Sequence, residues 1–175
     1  MPRINPVELA TADTGVQATL GAVKAKIGMV PNLFATFAQA PAVLNGNLAF
    51  ADALTKGVLT AAQREIVSLA VAQYNSCHYC LSAHTLLGKG AGLSPAAIRA
   101  ARQGKGESAI DNAIATLALR IVETRGQVSD ADLSEARLAG LDDARIVEIV
   151  GNVAHNVLTN FMNNVAQTKI DFPVV

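Results

Sequence analysis

The chain has 175 residues, of which 51% are hydrophobic, 16% are charged and 4% are aromatic, with no tryptophan. Its 14 basic and 14 acidic residues give a formal net charge of zero, so no basic surface for nucleic acid is predicted. The length suits one domain spanning residues 1–175, and the apolar excess favours interfaces buried between the subunits of a homo-oligomer.

Targeting signals are not evident in the sequence. The opening residues, from Met1 to Pro6, contain no apolar run behind a charged start, so no signal peptide is predicted. Polar residues interrupt every apolar stretch well before the roughly 18 positions of a membrane-spanning helix. Two closely spaced cysteines in a chain without export signals indicate a redox pair and not a structural staple. We therefore predict a cytoplasmic protein that does not enter a membrane.

Glycine and proline divide the first third of the chain into three predicted helices. The first covers about Val16–Ile27 and ends at Gly28. The second opens at Pro31, and the third covers about Ala42–Thr55. No segment shows a convincing strand alternation, so the chain is predicted to be all-α.

A capping box begins the next helix, with Thr60 as the N-cap and Gln63 reaching back to it. This helix carries Glu65 beside an apolar stripe. A glutamate there is also typical of a first turn that satisfies the helix dipole. A straight helix would hold Glu65 far from Cys77, so a site that uses both residues needs a turn at residues 74–76.

The densest cluster of reactive groups follows this turn. Cys77 and Cys80 are separated by two residues, and His84 comes four residues after Cys80. In a helix these three side chains share one face, which allows a disulfide. With Asn75 or Ser76 as the N-cap, both cysteines fall in the first turn, where free N–H groups favour a thiolate. We interpret the cluster as a redox dithiol.

Histidine exchanges protons near neutral pH, so His84 is suited to take a proton from the attacking thiol and return one to the leaving oxygen. Glu65 is the candidate to orient it. Simple core packing of two cysteines stays an alternative, as does zinc, although strong zinc patterns bring a second ligand pair that this chain lacks. Covalent haem attachment is excluded because Leu81 follows Cys80 where a histidine is needed.

The spacing of Glu65, Cys77, Cys80 and His84 resembles the alkylhydroperoxidase D-like branch of the carboxymuconolactone decarboxylase superfamily. The resemblance implies an all-α fold of about seven to nine helices, subunits assembled into trimers or hexamers, and thiol-dependent reduction of peroxides. It makes Cys80 the peroxidatic and Cys77 the resolving cysteine, with Glu65 and His84 as a proton relay through water. The decarboxylase that names the superfamily uses no cysteine pair, so the thiols favour the peroxidase side.

The sequence departs from the family pattern beside the second cysteine. Some members carry a further histidine there, whereas this chain has Tyr79, with His78 one place earlier. We interpret His78 as a surface histidine at a helix start and leave it out of the site. The closing residues, Asp171 to Pro173, are similar to family members known only as peroxidase-related.

Glycines again divide the second half of the chain. Three glycines between Gly88 and Gly92 predict a flexible connection, and no strand precedes them as a phosphate-binding loop would require. Ser94 and Pro95 predict the start of a short helix that ends at about Arg102.

The last third of the chain contains three further predicted helices, over about residues 108–125, 129–140 and 143–168. The final helix is the longest, and its broad apolar stripe predicts burial on both sides. His155 within it is interpreted as a core histidine with a backbone partner, and an approach to the dithiol is the alternative. The stripe consists of Ile146, Ile149, Val150, Val153, Val157, Phe161 and Val165.

The residues and the resemblance together predict a thiol-dependent hydroperoxide reductase. The Cys80 thiolate attacks the peroxide, and the sulfenic acid condenses with Cys77. The resemblance implies an external dithiol reductant of lipoyl or thioredoxin-like type, with no bound organic cofactor or metal. The alternative is a non-enzymatic redox sensor or interaction module, in which a reversible Cys77–Cys80 disulfide changes subunit contacts without turnover.

Overall fold

The computed structural model describes all residues, 1–175, as nine α-helices and one 3₁₀ turn, with no strand. The predicted all-α class is confirmed. The 3₁₀ turn is Leu9–Thr11, and the helices are α1 (Thr14–Ile27), α2 (Asn32–Phe37), α3 (Pro41–Leu54), α4 (Ala61–Tyr74), α5 (His78–Gly90), α6 (Pro95–Arg102), α7 (Ala109–Thr124), α8 (Asp130–Leu138) and α9 (Asp143–Ala166). None of these helices combines the length and the apolar character needed to cross a membrane.

Most helix ends lie where local capping chemistry predicts them. Gly28 ends α1 with φ 84°, a left-handed conformation that glycine adopts without steric cost. Thr60 and Gln63 form the predicted capping box at the start of α4. Ser94 accepts a hydrogen bond from the N–H of Ala97 at the start of α6, as its position before Pro95 predicts.

The predicted flexible connection at residues 88–92 is wrong for its first part, because Gly88 and Gly90 lie within α5. Gly88 is a packing position. A Cβ there would lie 3.3 Å from Leu93 and 3.8 Å from the Cβ of Glu65, so this position faces neighbouring side chains and not solvent. The chain turns only at Gly92, which has φ 92°.

Helix α4 lies at the centre of the molecule and packs against α5, α6, α7 and α9. Its residues from Ile66 to Ala72 are all buried. Most of its apolar side chains join a core cluster shared with α7 and α9, whereas Ala72 joins a second cluster around Leu20 and Phe37. This second cluster contains both cysteines, so the dithiol lies inside a packed apolar environment.

Helix α9 has its polar residues inside and part of its apolar stripe outside. Ile149 and Val153 are buried as predicted, but burial on both sides is wrong for the single chain, since Val150, Phe161 and Val165 are 48%, 54% and 59% exposed. The inward face instead carries four buried asparagines, which are Asn152, Asn156, Asn160 and Asn163. Buried amides must find hydrogen-bond partners, so this face is committed to polar contacts.

The loop before α4 is held by a carboxylate from α9. Glu148 accepts hydrogen bonds from the backbone N–H groups of Val58 and Leu59, the latter at 2.8 Å. A Cβ at Gly57 would collide with that carboxylate. The loop therefore approaches Glu148 closely because residue 57 is glycine.

Gly57→Ala is expected to displace the Glu148 carboxylate and weaken both hydrogen bonds, which lowers the free energy of unfolding by about 1–2 kcal/mol. Urea unfolding followed by circular dichroism measures it. The matched control is Gly46→Ala within α3, where a Cβ would meet nothing within 4 Å. That change should leave stability unchanged or raise it by up to about 1 kcal/mol through helix propensity. Equal stabilities for the two variants would contradict the close approach.

Candidate redox site

The turn that the site requires is present between α4 and α5. Ser76 has φ 53°, an uncommon left-handed conformation for a residue other than glycine. The predicted N-cap at Asn75 or Ser76 is wrong, because Cys77 itself is the N-cap of α5. Its Sγ accepts a hydrogen bond from the backbone N–H of Cys80 at 3.2 Å. The helix N-terminus therefore interacts directly with the sulfur of Cys77.

Cys77 and Cys80 form a disulfide, with their Cα atoms 5.2 Å apart. Both residues are buried, at 0% and 3% exposure. They lie among apolar residues of α1, α2 and α3, including Leu20, Phe37 and Leu44. The pair can thus exist as a disulfide within the folded core.

Glu65 and His84 lie in contact across the α4–α5 hairpin. The Glu65 carboxylate is 2.8 Å from Nδ1 of His84, and the two side chains are only 17% and 21% exposed. His84 follows Cys80 by one helical turn on α5, so the two share a helix face. Because the carboxylate holds Nδ1, the ring is oriented and its Nε2 is left for proton exchange. The structure brings these residues together as the sequence predicts, and their catalytic roles stay predictions.

Asn163 on α9 contacts the dithiol and was missed by the sequence analysis. Its Nδ2 donates a hydrogen bond to Sγ of Cys80 at 3.3 Å. The signal in the sequence is the recurrence of asparagine every three or four positions from Asn152 to Asn163, which places amides on one face of a helix. The apolar residues of this helix lie elsewhere on it and do not indicate that face.

Two other asparagines of α9 fasten the turn before Cys77. Asn160 accepts a hydrogen bond from the side-chain amide of Asn75 at 3.0 Å, and Asn164 donates to the backbone carbonyl of Asn75 at 2.8 Å. These contacts hold the end of α4 against α9. They fix the chain in the residues that precede the left-handed Ser76 and the first cysteine.

Tyr79, where some relatives carry histidine, belongs to the core beside the dithiol. Its hydroxyl accepts a hydrogen bond from the backbone N–H of Leu33 at 3.3 Å, and its ring packs edge-on against Phe172 at 5.5 Å. Burial raises the pKa of Tyr79 well above its usual range. The phenol therefore stays neutral and packs the C-terminal segment against the redox helix.

The two remaining histidines have different environments. His78 is exposed at the start of α5, as predicted. His155 is largely buried, but its partner is a side chain and not the predicted backbone group, since Nε2 donates to Oδ1 of Asn47 at 3.0 Å. Phe50 packs edge-on against its ring. Burial, together with the nearby His84, lowers the pKa of His155 to about 4.

Because the folded-state pKa of His155 lies below its ordinary value of 6.5, the unfolded chain binds this proton more readily between pH 6.5 and 4. Acidification through that window should therefore cost the wild type up to about 3 kcal/mol of stability at this residue alone. His155→Gln keeps a donor for Asn47 and removes the titration. We expect the free energy of unfolding, measured in urea at pH 7 and pH 4, to fall less in the variant. An equal loss of stability in the wild type and the variant would show that the proton responsible binds to another residue.

The chain contains no group of three or more His, Cys, Asp or Glu side chains that could hold a metal ion.

Residues 41–124, which include the dithiol and Glu65–His84, match the family model of the carboxymuconolactone decarboxylase family. A solved peroxidase-related protein from Ralstonia eutropha JMP134 with an alkylhydroperoxidase AhpD core superposes with a TM-score of 0.87 at 27% identity, over 97% of this chain and 92% of that one. The predicted resemblance to the alkylhydroperoxidase D-like branch of the carboxymuconolactone decarboxylase superfamily is confirmed.

Two structures of lower identity share the fold. A peroxidase-related protein from Silicibacter sp. TM1040 matches with a TM-score of 0.80 at 22% identity, over 95% of this chain and 91% of that one. A variant of the debrominase Bmp8 in complex with 2,3,4-tribromopyrrole matches with a TM-score of 0.79 at 13% identity, over 96% and 91% of the two chains. At these identities the likeness shows the fold alone, and the debrominase shows that this fold has other activities. Among curated proteins the chain has no significant match.

Proposed function

We propose that this protein is a thiol-dependent hydroperoxide reductase in which Cys80 attacks the peroxide and Cys77 resolves the product. The observation that carries the proposal is the juxtaposition on one helix hairpin of a buried Cys77–Cys80 pair and a hydrogen-bonded Glu65–His84 pair. A reducible dithiol supplies two electrons, and the carboxylate–histidine pair supplies proton transfer. Peroxide reduction needs both.

In the proposed reaction, the Cys80 thiolate forms a bond to the distal peroxide oxygen while the O–O bond breaks. The leaving alkoxide takes a proton from the relay and departs as an alcohol, which leaves a sulfenic acid on Cys80. The Cys77 thiol then attacks that sulfur and releases water, giving the Cys77–Cys80 disulfide seen in the structure. An external dithiol reduces the disulfide by exchange and is itself oxidised.

Two features favour Cys80 as the attacking sulfur. His84 is one helical turn from Cys80 and on the same face, so the relay serves this thiol first. Cys77 has the lower exposure of the two and interacts with the N-terminus of α5, where its own thiolate is stabilised for the resolving step. In this order the second cysteine of the pair attacks, which is the reverse of pairs in which the first cysteine attacks.

The test is steady-state consumption of an alkyl hydroperoxide by the purified protein, with a lipoyl-type dithiol or a thioredoxin-like protein as reductant. We expect many turnovers per subunit. Oxidation of one dithiol equivalent per subunit without turnover, with both donors tried, would overturn the proposal and favour a redox sensor.

We also propose that the protein is a cytoplasmic homo-oligomer and that the outward face of α9 contributes to the subunit interface. The support is the exposure of Val150, Phe161 and Val165 on one helix. Phe161→Glu places a charge on this face and should shift the species measured by sedimentation velocity towards the monomer. An unchanged sedimentation coefficient would remove α9 from the interface.

A further inference from the structure

We infer that Asn163 is a further catalytic residue, which donates a hydrogen bond from Nδ2 to the reacting sulfur of Cys80 and stabilises its thiolate. The inference rests on the proposed function for the identity of the reacting sulfur. The stabilisation of a Cys80 thiolate by the side-chain amide does not depend on which substrate the protein uses. No sequence motif of the dithiol hairpin includes this residue, because it lies on α9, far along the chain.

The contact is direct and buried. Asn163 is 4% exposed and Cys80 is 3% exposed, and Nδ2 lies 3.3 Å from Sγ. The amide is neutral, so its hydrogen bond is weak to a disulfide or a thiol and much stronger to a thiolate. The state that gains most from Asn163 is therefore the nucleophile itself.

Simple packing does not account for an asparagine at this position. The Oδ1 of Asn163 is buried without a partner, which is costly for a polar atom in the core. The hydrogen bonds that end α9 use the backbone carbonyl of Asn163, which any residue provides. The sulfur of Cys80 is thus the one hydrogen-bond partner of the Asn163 side chain. If the position were purely structural, a leucine would fill it without leaving a buried acceptor unpaired.

Neighbouring asparagines have other partners. Asn156, two turns earlier on the same buried face, donates to Ser68 and to the backbone of Asn152. Asn160 accepts from Asn75 at the turn. Only Asn163 reaches a sulfur, and it reaches Cys80 rather than Cys77. The helix N-terminus favours a thiolate on Cys77, so Asn163 is the group that moves charge towards the cysteine one turn from His84.

The experiment uses the full chain in the Cys77→Ser background, where Cys80 is the sole thiol and serine keeps a good N-cap for α5. The rate of alkylation by iodoacetamide is measured against pH. Adding Asn163→Ala should raise the pH midpoint by about 1 unit, because a hydrogen bond to a charged group is lost. Asn163→Asp, of the same shape, should raise it further by repulsion. Asn156→Ala is the matched control and should leave the midpoint unchanged.

A midpoint unaffected by both Asn163 variants, with far-ultraviolet circular dichroism unchanged, would overturn the inference even if peroxide turnover is present. If the wild-type protein shows no peroxide turnover while the alkylation midpoint of Cys80 still depends on Asn163, the proposed function alone would be overturned. A second measurement needs no Asn163 variant, so it tests the inference even if those variants fold poorly. In the Cys77→Ser protein, the side-chain amide proton resonance of Asn163 should titrate with the midpoint of Cys80, and a pH-independent resonance would contradict the contact.

Discussion

Cys80→Ser is expected to reduce peroxide consumption to the rate of the free dithiol, because serine at this position cannot form the thiolate that attacks the O–O bond. Cys77→Ser should behave differently. It retains the attacking sulfur, so each subunit should consume one equivalent of hydroperoxide and stop as a Cys80 sulfenic acid. The measurement combines single-turnover peroxide consumption with mass spectrometry after trapping by a dione probe.

The double variant, Cys77→Ser with Cys80→Ser, sets the background for both measurements. It also shows whether the hairpin folds without the disulfide, which circular dichroism can follow. The assignment of the two sulfurs would be reversed if Cys80→Ser trapped a sulfenic acid on Cys77 while Cys77→Ser consumed no peroxide. Because both sulfurs accept a hydrogen bond in the structure, this pair of variants is needed to separate them.

The sequence predicts helix ends well wherever the determining groups lie within a few residues of one another. Gly28 ends α1 through its own left-handed backbone, and Thr60 with Gln63 begins α4 through reciprocal capping bonds. The spacing of Cys80 and His84 on α5 is local in the same sense. Short-range capping and helical periodicity determine these features, so they can be predicted without knowledge of the tertiary fold.

The errors arise where distant residues determine the backbone. Ser76 adopts its left-handed conformation next to Asn75, which two asparagines of α9 hold in place, so the N-cap moves on to Cys77. Gly88 lies within α5, where side chains outside the helix, those of Ile98 and Glu65, are its neighbours. Neither contact is visible from local propensity, which favours a serine N-cap and a break at glycine.

The contact between Asn163 and Cys80 joins residues 83 positions apart, so no local motif contains it. The sequence does contain the relevant period, since asparagine recurs on one face of α9. Helical spacing of polar residues does not by itself predict a buried face, because polar residues are usually exposed. On α9 the hydrogen bonds of Asn152 and Asn156 offset the cost of burying their amides, and apolar side chains such as Phe161 lie outside.

His84→Gln and Glu65→Gln should each slow peroxide reduction by about 10²-fold near pH 7, because proton transfer to and from the reacting groups is lost. The Glu65 carboxylate contacts Nδ1 of His84 at 2.8 Å, so either change disrupts the same pair and their effects should not be additive. The measurement is kcat/KM for an alkyl hydroperoxide from pH 6 to pH 10, with saturating dithiol.

The pH dependence separates proton transfer from a structural role. At high pH the Cys80 thiol ionises without help, so the difference in rate between the variants and the wild type should narrow as the pH rises past the pKa of a free thiol, about 8.5. A merely structural loss would persist at every pH. His78→Gln is the control, since that histidine is exposed on the same helix and outside the site. If both relay variants had wild-type rates at pH 7, the contact between Glu65 and His84 would be only a structural hydrogen bond between two helices.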